Sequence, residues 1–369
     1  MSQYRQINVR SPFYVKLETI QTEAQLNLRV WNGDIVTDRP SNSTHTLNIQ
    51  CNRGHATFEV SELIRDTINH NVGYQGGAVW VEASLDDFVL SASTTKYLAT
   101  DGYNTHTEDA QHNGEFWLAD YVMLPKDMYG NYRITGTKGE DSRFQVLVNA
   151  TNSTDWIKTI NYNDGTPSLT TTYTPTTNSN SIVRTITIGD NVESVDLNLD
   201  GERTTIHHDI FECNQYNNGS DDIIRGYIYT YDKPIILSYV NKLGAKNTFA
   251  FTLKHTEELN TTSNSYSVNV ANYDDLNSRN IMHSSRKQIM STTKVYTINT
   301  DFINEYYVNQ LEELMLSEFV WAKDYSESNS FVPVKITNHK IAKRNHLNDR
   351  MIQYTFSYEL ARDYMNTIR

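Results

Sequence analysis

Residues 294–369 change hydrophobic period twice, and that change constrains the fold more than any other feature. From 294 to 299 polar and apolar residues alternate, as in a strand. Between 301 and 322 the large apolar residues Phe302, Ile303, Tyr306, Tyr307, Leu311, Leu314, Met315 and Phe319 recur at helical spacing. Asp301 stands where it could cap the start. Segments 331–336 and 351–360 return to strand character, the second carrying Tyr354 and Phe356, and a short terminal helix follows. The pattern predicts a helix over 301–322 whose Leu311, Leu314 and Met315 face a sheet made of 294–299, 331–337 and 351–360. Such a unit offers no nucleophile, metal cluster or glycine loop. It reads as a docking module, with Leu311, Leu314, Met315, Phe319, Tyr354 and Phe356 as the expected assembly-interface residues.

The rest of the chain reads as β. Ala24, Leu26, Leu28 and Val30 alternate with polar residues, as on a half-buried strand. Further short strands follow, punctuated by turn signals, with Ser61 a plausible N-cap for one short helix. The segments 151–154 and 166–180, rich in Thr, Ser and Asn, read as loops. Residues 257–293 are polar and weakly patterned. A structureless stretch of that length is uncommon inside a compact domain, so it reads as an extended arm lying on a neighbour. The expected division is a β-sandwich-like domain over 1–148, a middle β domain over 149–256, a connecting arm over 257–293 and an α+β docking domain over 294–369. The fold class is mainly β with an α+β C-terminal part.

Composition narrows the function. The 369 residues carry a net charge of −12, with a pI near 5.4, which argues against a binder of phosphate backbones. Lys340, Lys343, Arg344 and His346 make one basic cluster, read as a solvated hairpin loop. The 24 tyrosines favour pleated, half-exposed strands over disorder. Cys51 and Cys213 are too few and too far apart for a disulfide framework and read as free thiols of a reducing compartment. No apolar run approaches a membrane span, and the start of the chain lacks the apolar core of a signal peptide.

Three constellations gather residues that could carry chemistry. The run Asp196, Asn198, Asp200, Gly201 opens like a calcium loop, but His207 stands where the bidentate Glu belongs, so it reads as a strand ending in a turn. His106, Glu108, Asp109 and His112 lie close together but fit no zinc spacing and read as a polar loop. His207, His208 and Asp209, followed by Glu212 and Cys213, gather histidine, carboxylate and thiol. Strand alternation puts His207 and Asp209 on one face and His208 on the other. No catalytic, cofactor-binding or metal residue is expected, and the chain reads as a non-enzyme without cofactor.

Three sets of segments together resemble a known group. They are 12–15, 24–33 and 56–66; 211–213 and 239–251; and 297–300, 310–321, 333–336 and 347–361. In that order they resemble virion structural proteins of tailed bacteriophages, of tail or baseplate type, especially phages of marine bacteria and of Bacteroidetes. Residues 214–233 and the Thr-rich loop depart from the pattern. The resemblance implies a virion part, assembled in the host cytoplasm with other virion proteins, as a homo-oligomer in a ring or similar symmetric assembly. It transfers no catalytic residue, and the charge and the lack of an apolar run lead us to expect no direct contact with nucleic acid and no membrane insertion. The alternative is a receptor- or carbohydrate-binding adhesin, with Trp80, Trp117 and Trp156 as candidates to stack on sugars.

Overall fold

The computed structural model describes residues 4–18, 22–68, 77–86, 94–108, 115–117, 121–127, 129–148, 156–174, 182–199, 201–211, 234–253, 255–267, 285–300, 302–324, 330–338, 340–341 and 351–362. Among them 61% lie in strands and 8% in helices, so the fold is mainly β.

The N-terminal body is a six-stranded sheet in the order His45–Gln50, Glu23–Trp31, Ala78–Asp86, Thr94–Thr100, Arg5–Asn8, Glu115–Trp117. Alternation works as expected in Glu23–Trp31, where Ala24, Leu26, Leu28 and Val30 all point inward. They pack against Phe58 and Val60 and against Ile64 of the short helix Ser61–Arg65. The opposite face is buried too. Trp31, Trp80 and Leu98 meet Met123, Leu147, Ile182 and Val183 of the next body.

That middle body is a small sandwich. One sheet runs Tyr132–Thr137, Glu202–Phe211, Val192–Leu199, Trp156–Tyr162, Leu169–Tyr173. The other runs Val183–Ile188, Ser142–Leu147, Tyr121–Val122. Phe144, Val146, Trp156, Val195, Leu197 and Ile206 fill the space between them. Asp196 sits in a strand and accepts bonds from Arg203 and Thr205, and Gly201, at φ +85°, closes the turn. This is the strand-and-turn arrangement, with Asp196 committed to its neighbours.

The C-terminal body is a seven-stranded sheet in the order Lys246–Phe251, Ile235–Val240, Val320–Asp324, Ser330–Ile336, Thr355–Leu360, Ser285–Asn299, Thr256–Ser267. By sheet membership the divisions therefore fall near residues 120 and 234, not at 148 and 256. Hydrogen-bonded pairing groups the strands, and strands from both sides of each expected boundary share one sheet. The expected helix over 301–322 is also shorter. A 3-10 turn at Glu305–Tyr307 leads into an α-helix at Val308–Leu316, and Val320–Asp324 is a strand. Ser317 ends the helix. Its backbone is extended, and its hydroxyl donates to Phe319 O while accepting the Val240 N–H. From there Val320 and Ala322 alternate inward against Leu237 and Tyr239. Segment 351–360 also divides. Met351–Ile352 pairs with Ile303–Asn304 outside the main sheet, and only Thr355–Leu360 joins it.

Candidate assembly interface

The six residues expected to form an interface lie in or against the chain's own core. Leu311 and Leu314 are 0% exposed, Phe356 2% and Tyr354 7%. They join Phe249, Phe251, Ile298 and Val334 between helix and sheet, with Met315 packed alongside. Phe319 is half-buried, stacked on Trp321 with the Arg65 guanidinium over its ring. Helical spacing reported burial correctly at Leu311 and Leu314, which with Tyr354 and Phe356 are enclosed by their own sheet, while Met315 and Phe319 keep part of their surface. Burying each such leucine stabilises the fold by about 1.5–3 kcal/mol.

Surface suited to a partner appears where the sequence is polar. Thr256–Ser267 and Ser285–Asn299 form one antiparallel hairpin, in register from Thr256↔Thr297 to Ser267↔Ser285 with a bulge at Thr262/Ser263. The described parts of the expected arm, 257–267 and 285–293, are thus extended but paired with each other, and residues 268–284 lie outside the described residues. Only Val295–Asn299 continues into the sheet, against Thr355–Glu359. Beyond the Leu259↔Lys294 pair the ribbon has no third strand among the described residues, and it runs about 30 Å at ~3.4 Å per residue.

At the base of the ribbon the Lys294 ammonium bonds to Glu257 at 2.5 Å and lies over the Tyr296 ring, which stacks on Tyr358. Partial burial pulls the lysine's pKa down, but its bonds to Glu257 and Tyr296 outweigh that and raise it above its ordinary value. Farther out, every residue of Thr256–Ser267 but Ser263 is exposed, including Leu259 at 57% and Tyr266 at 48%. Residues 259–267 include no charge and no proline, the usual guards of a free strand edge. The opposite strand carries Arg286, Lys287 and Lys294.

The other edge of the same sheet is sealed. Gln145 Oε1 accepts the Lys246 N–H, and Thr135 Oγ1 donates to Thr248 O. The turn of that hairpin wedges between the bodies. Asn241, fully buried, donates to Met123 O and accepts from Leu243 and Ala245. Lys242 O accepts the Tyr103 N–H, and its ammonium pairs with Glu108. Gly244, at φ +80°, lies so close to Asp101 that a Cβ would stand 2.7 Å from its backbone nitrogen. The helix closes the joint. Glu313 accepts the Lys242 N–H, while Glu318, just beyond the helix, pairs with Arg65. Burial pushes the Glu313 carboxyl up to about 7, against the opposing pull of Lys242 and Arg10.

The remaining candidates place as follows. His106 is exposed, Glu108 is engaged by Thr105 and Lys242, and Asp109 and His112 lie outside the described residues. Among the described residues no group of three His, Cys, Asp or Glu could hold a metal. Cys51 is a free thiol, and Glu212 and Cys213 lie outside the described residues. Trp80 and Trp156 are each 1% exposed and so closed to any sugar. No described helix is long and apolar enough to cross a membrane.

One pairing escaped the sequence. His208 Nε2 lies 2.9 Å from Ser142 Oγ, and its Nδ1 lies 2.9 Å from Val192 O. Burial lowers the His208 pKa, with the bond to Val192 O opposing. Nδ1 is placed to donate to the Val192 carbonyl, and which of Nε2 and Ser142 Oγ donates follows the tautomer. Both side chains are buried, at 6% and 4% exposure, and the pair ties the two sheets of the sandwich together. Ser142 is 66 residues from His208 in sequence, and only the closed sandwich brings them together.

No family model matches this sequence, and no curated protein matches it. One similar solved structure is that of native alpha-2-macroglobulin from Escherichia coli, spanning domains MG0-NIE-MG1. It is 10% identical, with a TM-score of 0.18 over 55% of this chain and 63% of that one. At that score it carries no argument about fold or function.

Proposed function

We propose that this protein is a structural component of a bacteriophage virion, in the tail, baseplate or neck, that works by subunit assembly rather than catalysis. In this reading it joins other virion proteins as a homo-oligomer, in a ring or similar symmetric array. The observation that supports it best is the bare ribbon of Thr256–Ser267 and Ser285–Asn299. An isolated two-stranded hairpin is marginal in water, and an unguarded edge is a template for another strand. A neighbouring subunit that adds a strand or lies along the ribbon would satisfy both. The resemblance of the separate segments to tailed-phage structural proteins supplies the setting.

Cryo-electron microscopy of the intact particle tests this reading. The expected result is density for several copies of the chain around the particle axis, each ribbon lying on a neighbouring subunit. Purified particles without this chain would overturn it.

A further inference from the structure

The outer part of the ribbon is basic on an acidic chain. Its described residues 259–267 and 285–294 include no carboxylate. Arg286 and Lys287 are exposed, and Arg286 stands across the hairpin from Tyr266, itself 48% exposed. Over all of 259–293, Arg279, Arg286 and Lys287 against Asp274 and Asp275, three cations less two anions, leave one net positive charge. The whole chain carries −12.

A second surface has the opposite character. It lies where the helix Ser61–Arg65 meets the end of the helix Val308–Leu316. Arg65 pairs with Glu318 at 2.6 Å, and Arg10 donates to Leu316 O at 2.7 Å while lying 3.8 Å from Glu318. Glu62 and Asp66, one turn apart on the first helix, are exposed, and Glu312 and Leu316 stand one turn apart on the second. Four carboxylates, Glu62, Asp66, Glu312 and Glu318, less the two cations Arg10 and Arg65 leave two net negative charges. The cations are also the sunken partners. Their side chains are 8% and 26% exposed, against 55% for Glu318, and Arg65 is shared with the buried Asp101. Outward, this surface shows carboxylate around Leu316, a leucine 46% exposed.

Resting on the assembly role proposed above, we propose that the outer ribbon of one subunit docks on this acidic surface of a second copy. Arg286 and Lys287 sit among Glu62, Asp66, Glu312 and Glu318, and the Tyr266 ring covers Leu316. The contact joins two different surfaces, so each subunit has one ribbon to give and one surface to receive. Such a heterologous contact closes into a ring or extends into a filament, where a two-fold contact would stop at a dimer. Charge also favours a second copy over nucleic acid, since the ribbon brings two exposed cations on a chain of net charge −12.

Sedimentation velocity of the full chain tests the contact by exchanging its charges. One variant carries Arg286→Glu with Lys287→Glu, and a second carries Glu62→Lys with Asp66→Lys. All four positions are exposed, and circular dichroism verifies each variant as folded. Each variant alone is expected to self-associate at least about tenfold more weakly than the wild type. An equal mixture of the two should recover association, because opposite charges then face each other at every contact. Wild-type association should also weaken between about 0.05 M and about 0.5 M NaCl. Wild-type association in either folded variant, or a mixture as weak as its components, would overturn this contact and leave the proposed assembly role standing. A wild-type chain that is monomeric at every concentration would overturn both. If Glu62→Lys with Asp66→Lys fails to fold, the ribbon variant and the salt series decide, and unchanged association in either rejects the contact.

Discussion

The two edges of the seven-stranded sheet are both hairpins, yet they have opposite fates. Ile235–Val240 with Lys246–Phe251 is sealed by the middle body, its turn driven between domains and its Phe249 and Tyr239 fully buried. Thr256–Ser267 with Ser285–Asn299 stands in solvent over most of its length. An exposed sheet edge requires a cover or a guard. The chain supplies the cover at one edge through Gln145 and Thr135. At the other, among the described residues, it supplies a bulge, and the cover proposed above is a neighbouring subunit. On the proposed reading the difference also separates stability from assembly: the sealed hairpin holds this chain together, and the exposed one is where a neighbouring subunit would add.

Mutations on the sealed side should be costly. Phe249→Ala empties a fully buried ring site, and chemical denaturation should show a loss of about 3–5 kcal/mol. Gly244→Ala adds a Cβ against Asp101 at a positive φ. It should cost about 1–3 kcal/mol and loosen the joint between bodies, visible as faster amide exchange around Asn241.

At the same joint Glu313 gives a test with a sign. Its folded pKa, about 7, lies above its unfolded value. The folded state therefore holds a proton that the unfolded state releases. The resulting stabilisation is fully present below the unfolded carboxyl range, near pH 4.3, and is lost as pH rises through about 7. Glu313→Gln should raise stability at pH 8 by about 1–3 kcal/mol and leave it nearly unchanged at pH 4. A variant equally shifted at both pH values would show that charge is not what strains this contact.

On the bare side the same measurements should move little. Leu259→Ser and Tyr266→Ser replace exposed side chains and should change stability by no more than about 0.5 kcal/mol. Each should nonetheless weaken self-association in sedimentation velocity. A large stability loss in either variant would mean that the ribbon packs on its own chain, and the contrast between the edges would collapse.

The contrast also explains what the sequence could reveal. Period-two alternation at Ala24–Val30 and helical spacing at Leu311 and Leu314 reported burial well, because both patterns record which side of an element meets the core. They do not report what covers that side, so spacing alone does not tell a core residue such as Leu311 from an interface residue. The spacing of Phe319 from Met315 fits a helix that the chain does not continue that far. Ser317 breaks that helix through bonds to Val240 and Phe319 that no local pattern encodes. Polar residues 257–267 and 285–293 carry no hydrophobic alternation because the apolar side chains described there, Leu259 and Tyr266, stand in solvent, and the one buried side chain described there, Thr292, is polar. The Ser142–His208 pair depends on one sheet of the middle sandwich closing over the other and left no local signal.

Multi-angle light scattering of a shortened ribbon tests the central claim most directly. Leu259 and Lys294 face each other across the hairpin, so replacing residues 260–293 with Asn-Gly should close it in register with a two-residue turn. The account predicts that the wild-type chain forms a defined multimer. It predicts that the shortened chain, with an unchanged melting temperature, is a monomer. A wild-type chain that stays monomeric at high concentration, or a shortened chain that assembles like the wild type, would contradict it.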